Sequence, residues 1–169
     1  MHYHPQAVGV YLTDATVEMV LPDGETLPVQ SEAGQHEFYP AGQHLPKNVG
    51  EQPLELVLVE LKTGATGPDI PAGQDSTAVD PDHYTTEFEN DRVRILRIAY
   101  GPGDESVMHY HPDTVAVFLT DHAVQMTMPD GSTSEVTASA GDALFIPAGP
   151  HRPKNISDGL WELVLVELK

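Results

Sequence analysis

Residues 1–62 repeat as residues 108–169 at one constant offset, with no gap. MHYHPQAVGVYLTDATVEMVLPDG at 1–24 returns as MHYHPDTVAVFLTDHAVQMTMPDG at 108–131. FYPAGQHLPKN at 38–48 returns as FIPAGPHRPKN at 145–155, and ELVLVELK at 55–62 is identical at 162–169. Roughly 35 of the 62 aligned positions are the same residue. Chance does not produce that, so the chain holds one structural unit twice, and any reading of one copy must fit the other.

The copies are unequal. Copy two has an upstream segment, DHYTTEFENDRVRILRIAYGPGDESV at 82–107, and copy one begins where that segment would end. Between them lies TGATGPDIPAGQDSTAVD, rich in Gly, Pro, Asp, Ser and Thr, which reads as a linker. The expected division is therefore 1–62 for a first repeat incomplete at its front, 63–80 for the linker and 81–169 for the second repeat.

Short runs of Val, Leu, Ile and aromatic residues alternate with turn signals such as Pro129-Asp130-Gly131 and Gly101-Pro102-Gly103. In copy two, strands are expected at Val93–Ala99, Val115–Thr120, Val124–Met128, Thr133–Thr137, Ala143–Ile146 and Leu160–Leu168. No segment sustains a 3.6-residue period between caps, so helix should be scarce. Many short strands at even spacing predict one small all-β barrel per copy.

Charge narrows the partners. With 26 acidic and 8 basic residues the net charge is -18, which repels a phosphate backbone and argues against nucleic acid. No apolar run is long enough to span a bilayer, and no signal peptide is visible, so no membrane partner and a cytoplasmic location are expected. Cysteine is absent. Any metal must then be held by histidine, carboxylate or water.

The histidines fit that restriction. His109 and His111 flank Tyr110, and in a strand residues i and i+2 share a face. His151 follows just after Pro147-Ala148-Gly149 and supplies a third imidazole from a distant strand. Copy one repeats the set as His2, His4 and His44. His122, His83 and His36 have no counterpart in the other copy and read as surface or hydrogen-bonding residues, with His122 the best of them for a supporting role near the centre. Tyr110 should face away from its flanking histidines. Asp113, Asp121 and Glu105 are possible bases in a chain where solvated acidic residues are plentiful. Arg152 and Lys154 adjoin His151, while copy one keeps only Lys47, with Leu45 in place of the arginine. Met126 and Met128 read as core or lining residues.

These residues resemble the cupin superfamily. Gly103 through His111 matches the first half of its first motif, Gly, five residues, His-x-His. Gly141 through Asn155, which contains Pro147-Ala148-Gly149, His151 and Asn155, matches the second motif with one residue fewer before the histidine. The resemblance covers nearly all of both copies and implies a bicupin of the small bacterial type, with tandem double-stranded β-helix barrels, the first shortened at its N-terminus. The motif glutamate is missing: Val115 and Ala116 stand in its place in copy two, and Val8 and Gly9 in copy one. What remains is similar to three-histidine cupins such as acetylacetone dioxygenase and the thiol dioxygenases.

Three neutral imidazoles leave the charge of a divalent ion uncompensated, which favours anionic, chelating ligands. The expected function is a metal-dependent, dioxygenase-like enzyme on a small anionic organic molecule. The expected cofactor is Fe(II), with Zn, Ni, Cu and Mn compatible by ligand type. A non-catalytic cupin that binds or senses a small molecule or metal is the alternative, and a structural barrel with vestigial histidines a third. Copy two should hold the better site. Copy one, lacking the 82–107 segment, should present an open sheet edge, so a homodimer is expected to cover it.

Overall fold

The computed structural model describes residues 1–62 and 67–169; the front of the expected linker, 63–66, lies outside the described residues. The chain divides into two compact units, Met1–Gly64 and Ala65–Lys169.

In the first unit, β1 (His2–His4), β2 (Ala7–Tyr11), β3 (Ala15–Val20), β4 (Thr26–Ser31), β5 (His36–Tyr39), β6 (Gly42–Asn48) and β7 (Leu56–Glu60) follow in order. They form a four-stranded sheet, β1-β6-β3-β4, and a three-stranded sheet, β5-β2-β7, with every pairing antiparallel. Tyr11, Ala15 and Val17 form its core, with Met19, Val29 and Leu54 against them.

The second unit opens with a one-turn helix, α1 (Ser76–Val79), capped by the Asp75 side chain, which accepts from the Thr77 amide. Two strands follow that unit one lacks, β8 (Tyr84–Glu89) and β9 (Val93–Tyr100). Then β10 (His109–His111), β11 (Thr114–Phe118), β12 (His122–Thr127), β13 (Thr133–Ala138), β14 (Ala143–Ile146), β15 (Gly149–Asn155) and β16 (Trp161–Leu168) repeat β1 to β7 in order. The sheets are β10-β15-β12-β13 and β14-β11-β16-β9-β8. The all-β expectation holds: α1 is the one α-helix among the described residues, and none is long and apolar enough to cross a membrane.

Local chemistry accounts for the hairpins. The β12–β13 connection turns at Gly131, whose φ of 83° is open to glycine at little cost, and Asp130 accepts from the Ser132 amide across it. Copy one repeats the turn with Gly24 and Asp23.

One difference between the units follows from neighbours alone. The octapeptide ELVLVELK is identical in both, yet β16 is hydrogen-bonded to β11 and β9 and is almost wholly buried, while β7 pairs with β2 and ends its sheet with every residue at least partly exposed. In unit two, β9 places Leu96, Ile98 and Tyr100 against Trp161, Leu163 and Leu165, completing a core with Tyr84, Ala116, Phe118 and Val124.

Of the expected linker, 67–80 contains α1 and pairs with the histidine strand: Asp75 bridges to Tyr110, and the Tyr110 amide donates to the Gln74 carbonyl. Three strands of unit two lie outside the apolar runs: β8, β10 and β15. The last two are short or rich in histidine, proline and charge, and their partners, not their hydrophobicity, make them strands.

Candidate metal centre

In unit two, β10 and β15 pair so that His109 lies directly across from His151 and His111 across from Gly149. The two-residue period puts His109 and His111 on one face, and the register brings His151 to it. The ring centroids are 4.9 Å apart for His109–His111, 4.8 Å for His109–His151 and 5.3 Å for His111–His151. Their candidate ligand atoms all lie within 4.8 Å of one another. A metal–nitrogen bond of about 2.1 Å sets a span of about 4 Å across one ion, so the rings stand close to the spacing a single centre needs.

His111 and His109 are each oriented by what the other ring nitrogen touches. Glu167, 1% exposed, accepts from His111 Nδ1 at 2.6 Å, which leaves the His111 Nε2 lone pair for an ion. The other Glu167 oxygen accepts from Arg94 Nε at 2.5 Å, and Arg94 Nη1 donates to Asp75 at 2.7 Å. Glu167 and Arg94 are cross-strand partners on β16 and β9. Burial works against the Arg94 charge, but its two carboxylate partners outweigh it and hold the guanidinium above its ordinary range. Burial likewise opposes ionised Asp75, and the bonds from Arg94 and Thr77 hold its carboxyl below the usual aspartate range.

His109 is fully buried. Its Nδ1 meets the Val107 carbonyl at 2.8 Å, so by the hydrogen-bond pattern this nitrogen carries the proton. Its Nε2 then accepts from the Tyr84 hydroxyl at 2.9 Å. Tyr84 in turn accepts from Tyr100, also at 2.9 Å. Asp80 lies 3.4 Å from the Tyr100 hydroxyl and accepts from Ser106, whose oxygen is 3.2 Å from His109 Nδ1. Burial pushes the Tyr84 phenol well above its ordinary range, so it stays a neutral donor.

Electrostatics favour metal ligation. Burial, reinforced by His111, lowers His109 to about 4. Burial, with His111 and His109 beside it, lowers His151 to about 3. Both rings are therefore neutral at neutral pH, as ligation requires. The donor set thus fits a divalent transition metal held by His109, His111 and His151. Ala116, at one of the two motif-glutamate positions, is part of the apolar core. The carboxylate that reaches this centre is Glu167, on the far side of His111.

Unit one builds the same triangle, with centroid separations of 4.8 Å, 4.8 Å and 5.3 Å among His2, His4 and His44. Glu60, the counterpart of Glu167, accepts from His4 Nδ1 at 2.6 Å. Its setting is wetter: Glu60 is 49% exposed and His2 lies at the surface. Burial, and then His2 and His4, lower His44 from its ordinary value.

His111 and His151 open onto a cavity of about 480 Å³. Tyr84 also lines it, and Phe118, Val124, Met126, Met128, Ile146 and Leu163 are among its apolar lining residues. The unit-one cavity measures about 180 Å³ and contains Tyr11 and Tyr39, whose hydroxyls bond each other. Burial and the Tyr11 contact raise the Tyr39 phenol above its ordinary range.

The other sequence candidates fall elsewhere. Asp113 and Asp121 accept from the Ala148 and Ala140 amides and so brace turns. Glu105 pairs with Arg152 and Lys154, and Lys47 with Glu18. His83 bonds Asp80 at 2.8 Å and stacks on Tyr100. His122 is not beside the metal ligands; it packs on Phe118 and Trp161. Sequence reasoning missed Tyr84, Arg94 and Glu167. A signal existed for two of them: Glu167 continues the inward register of Trp161, Leu163 and Leu165, and Arg94 that of Leu96, Ile98 and Tyr100. A charged residue on a core-facing register is informative.

No family model matches the chain, and no curated protein matches it. Solved structures do. AerE from Microcystis aeruginosa matches over 99% of this chain and 80% of its own, at 15% identity and a TM-score of 0.68. Oxalate decarboxylase from Bacillus subtilis matches over 98% of this chain at 13% identity and a TM-score of 0.63; this chain spans 63% of that one. A cupin 2 conserved barrel domain protein from Leptotrichia buccalis matches over 98% of this chain and 74% of its own, at 12% identity and a TM-score of 0.54. At these identities the likeness is one of fold. The structure is a tandem of cupin β-barrels.

Proposed function

We propose that the chain is a metal-dependent enzyme of dioxygenase-like chemistry, acting on a small anionic organic molecule at His109, His111 and His151. The observation that carries this reading is a histidine triad, with His109 and His111 buried, whose His111 and His151 face a predominantly apolar cavity. A divalent ion there, Fe(II) first and Zn, Ni, Cu or Mn by the same donor chemistry, would supply Lewis acidity and, if iron, a means of activating oxygen.

The chain's own residues have separable roles. His109, His111 and His151 bind; as ligands they are neutral imidazoles, so the ion's charge is left to attract an anion. Glu167 orients His111 and is itself held by Arg94. The Tyr84 hydroxyl, which donates to His109 Nε2, would be free to donate to a bound ligand if an ion took that lone pair. The apolar wall excludes water and strengthens each of these interactions. The larger cavity and deeper burial favour unit two over the His2, His4 and His44 set as the working site.

A second reading, a binding or sensing module, draws support from the cavity lining, which includes no Asp, Glu, Lys or Arg among the described residues. Metal analysis of untagged protein, with thermal unfolding before and after added Fe(II), Zn(II) or Ni(II), tests the metal centre. Stoichiometric metal and a raised unfolding temperature are expected; the absence of both would overturn the metal-dependent enzyme and leave a metal-free small-molecule binder. Oxygen consumption with a panel of enols and thiols then separates enzyme from binder, and a flat trace across the panel argues for the binder.

A further inference from the structure

We propose that unit two selects an anionic ligand with an extended apolar body and a hydrogen-bonding group at its distal end, and that His122 is the specificity-determining residue that reads that group. This rests on the metal reading above for the anionic end only.

His122 is the first residue of β12 and lines the same cavity as His111 and His151. Thr127, five residues further along β12, pairs with Arg152, the neighbour of His151. At about 3.4 Å per residue this places His122 roughly 17 Å along the strand from the metal end. Between them the lining is predominantly apolar, with Val124, Met126, Ile146 and Leu163, and with Ser134 across from Met126. A molecule that filled the cavity would thus meet imidazoles at both ends and mostly hydrocarbon between.

The distal imidazole is poised to bond. His122 is 7% exposed, and its Nδ1 lies 3.3 Å from the Thr120 carbonyl, so its Nε2 lone pair is the acceptor left over. Burial lowers its pKa, which keeps the ring neutral near pH 7. It lies against Trp161, with centroids 5.4 Å apart, and the indole Nε1–H is a buried donor with no partner. Buried polar groups are normally satisfied, so a leftover acceptor and an orphan donor together in an apolar cavity point to a bound polar group.

The duplication supplies an internal comparison. The three ligand histidines and the Glu167 position are kept in unit one, but His122 is replaced by Ala15 and Trp161 by Leu54. The distal polar pair therefore belongs to the larger cavity alone and is separable from metal binding.

The test is calorimetric titration of Zn(II)-loaded full-length protein with straight-chain alkanoates, from acetate to about decanoate, and with their ω-hydroxy counterparts. Affinity should rise by up to about fourfold per methylene while the chain extends along the apolar wall. At the length that reaches His122, the ω-hydroxy ligand should bind about tenfold tighter than its parent. His122→Phe should abolish that preference and His122→Gln restore part of it, both with unchanged zinc stoichiometry. The proposal is overturned if the ω-hydroxyl weakens binding at every length, or if the preference survives in His122→Phe. Failure to bind zinc or acetate, with the ω-hydroxyl preference intact, would sink the metal reading and leave the distal recognition standing.

Discussion

Glu167 offers the sharpest perturbation. Both its oxygens are committed, one to His111 at 2.6 Å and one to Arg94 at 2.5 Å, and its side chain is 1% exposed. Glu167→Ala would leave the His111 Nδ1–H without its acceptor and the buried Arg94 with Asp75 as its remaining carboxylate partner. Removing one partner of a buried ion pair costs about 3–5 kcal/mol, a large share of a domain's total stability of about 5–15 kcal/mol. Glu167→Gln keeps the shape but loses one of the two charge-assisted bonds, so about 1.5–3 kcal/mol is expected. Because the carboxylate also fixes which His111 nitrogen faces the ion, either change should weaken metal binding by about 10–100-fold. Zinc titration against a competing chelator, with thermal unfolding of the metal-free protein, measures the two effects separately. The control is Glu60→Gln. Glu60 makes the same 2.6 Å bond to His4 but is half exposed, so its effect on stability should stay below about 1 kcal/mol. Zinc affinity of Glu167→Gln within twofold of the parent, or a larger stability loss from Glu60→Gln, would refute the assigned role.

Other outcomes follow from the same geometry. His109 and His151 are lowered in the fold to about 4 and about 3 from an ordinary 6.5. Below pH 6.5 the unfolded chain therefore binds protons that the folded one does not, and metal-free stability should fall as pH drops from 6.5 toward 4, by up to about 1.4 kcal/mol per pH unit for each ring; a flat profile in urea melts across that window would contradict it. Tyr84→Phe removes the donor that occupies His109 Nε2, so metal-free stability should fall by about 0.5–1.5 kcal/mol while zinc affinity holds or rises; a loss of affinity would show that the hydroxyl supports the centre instead of competing for it. His109→Ala should cost more bound metal than His2→Ala, as read by elemental analysis of each variant. We also propose that the chain is a homodimer that covers the outer edge of β7; light scattering that found a stable monomer at micromolar concentration would overturn it.

The two triads are legible in the amino-acid sequence because their information is local and repeated. A His-x-His needs only the two-residue period of a strand to share a face, and the duplicated third histidine restricts what can oppose it. The turn at Pro129-Asp130-Gly131 is legible for the same reason, since glycine's tolerance of positive φ is a property of the residue. The full extent of β15 is not, because a segment such as Gly149–Asn155 becomes a strand through its partners' hydrogen bonds.

The sequence by itself determined the duplication, the all-β character and the six candidate ligands. Tertiary structure decided what surrounds them. It brought Arg94, seventy-three positions away in sequence, beside Glu167, and set Tyr84 on His109. It placed His122 in the far part of the cavity, away from the metal ligands. It also gave one octapeptide, ELVLVELK, two fates, buried as β16 and partly exposed as β7. The physical reason is common to all of these. Burial, register and cross-strand pairing are relations between distant segments, and a residue's chemistry in the fold depends on which neighbour those relations deliver.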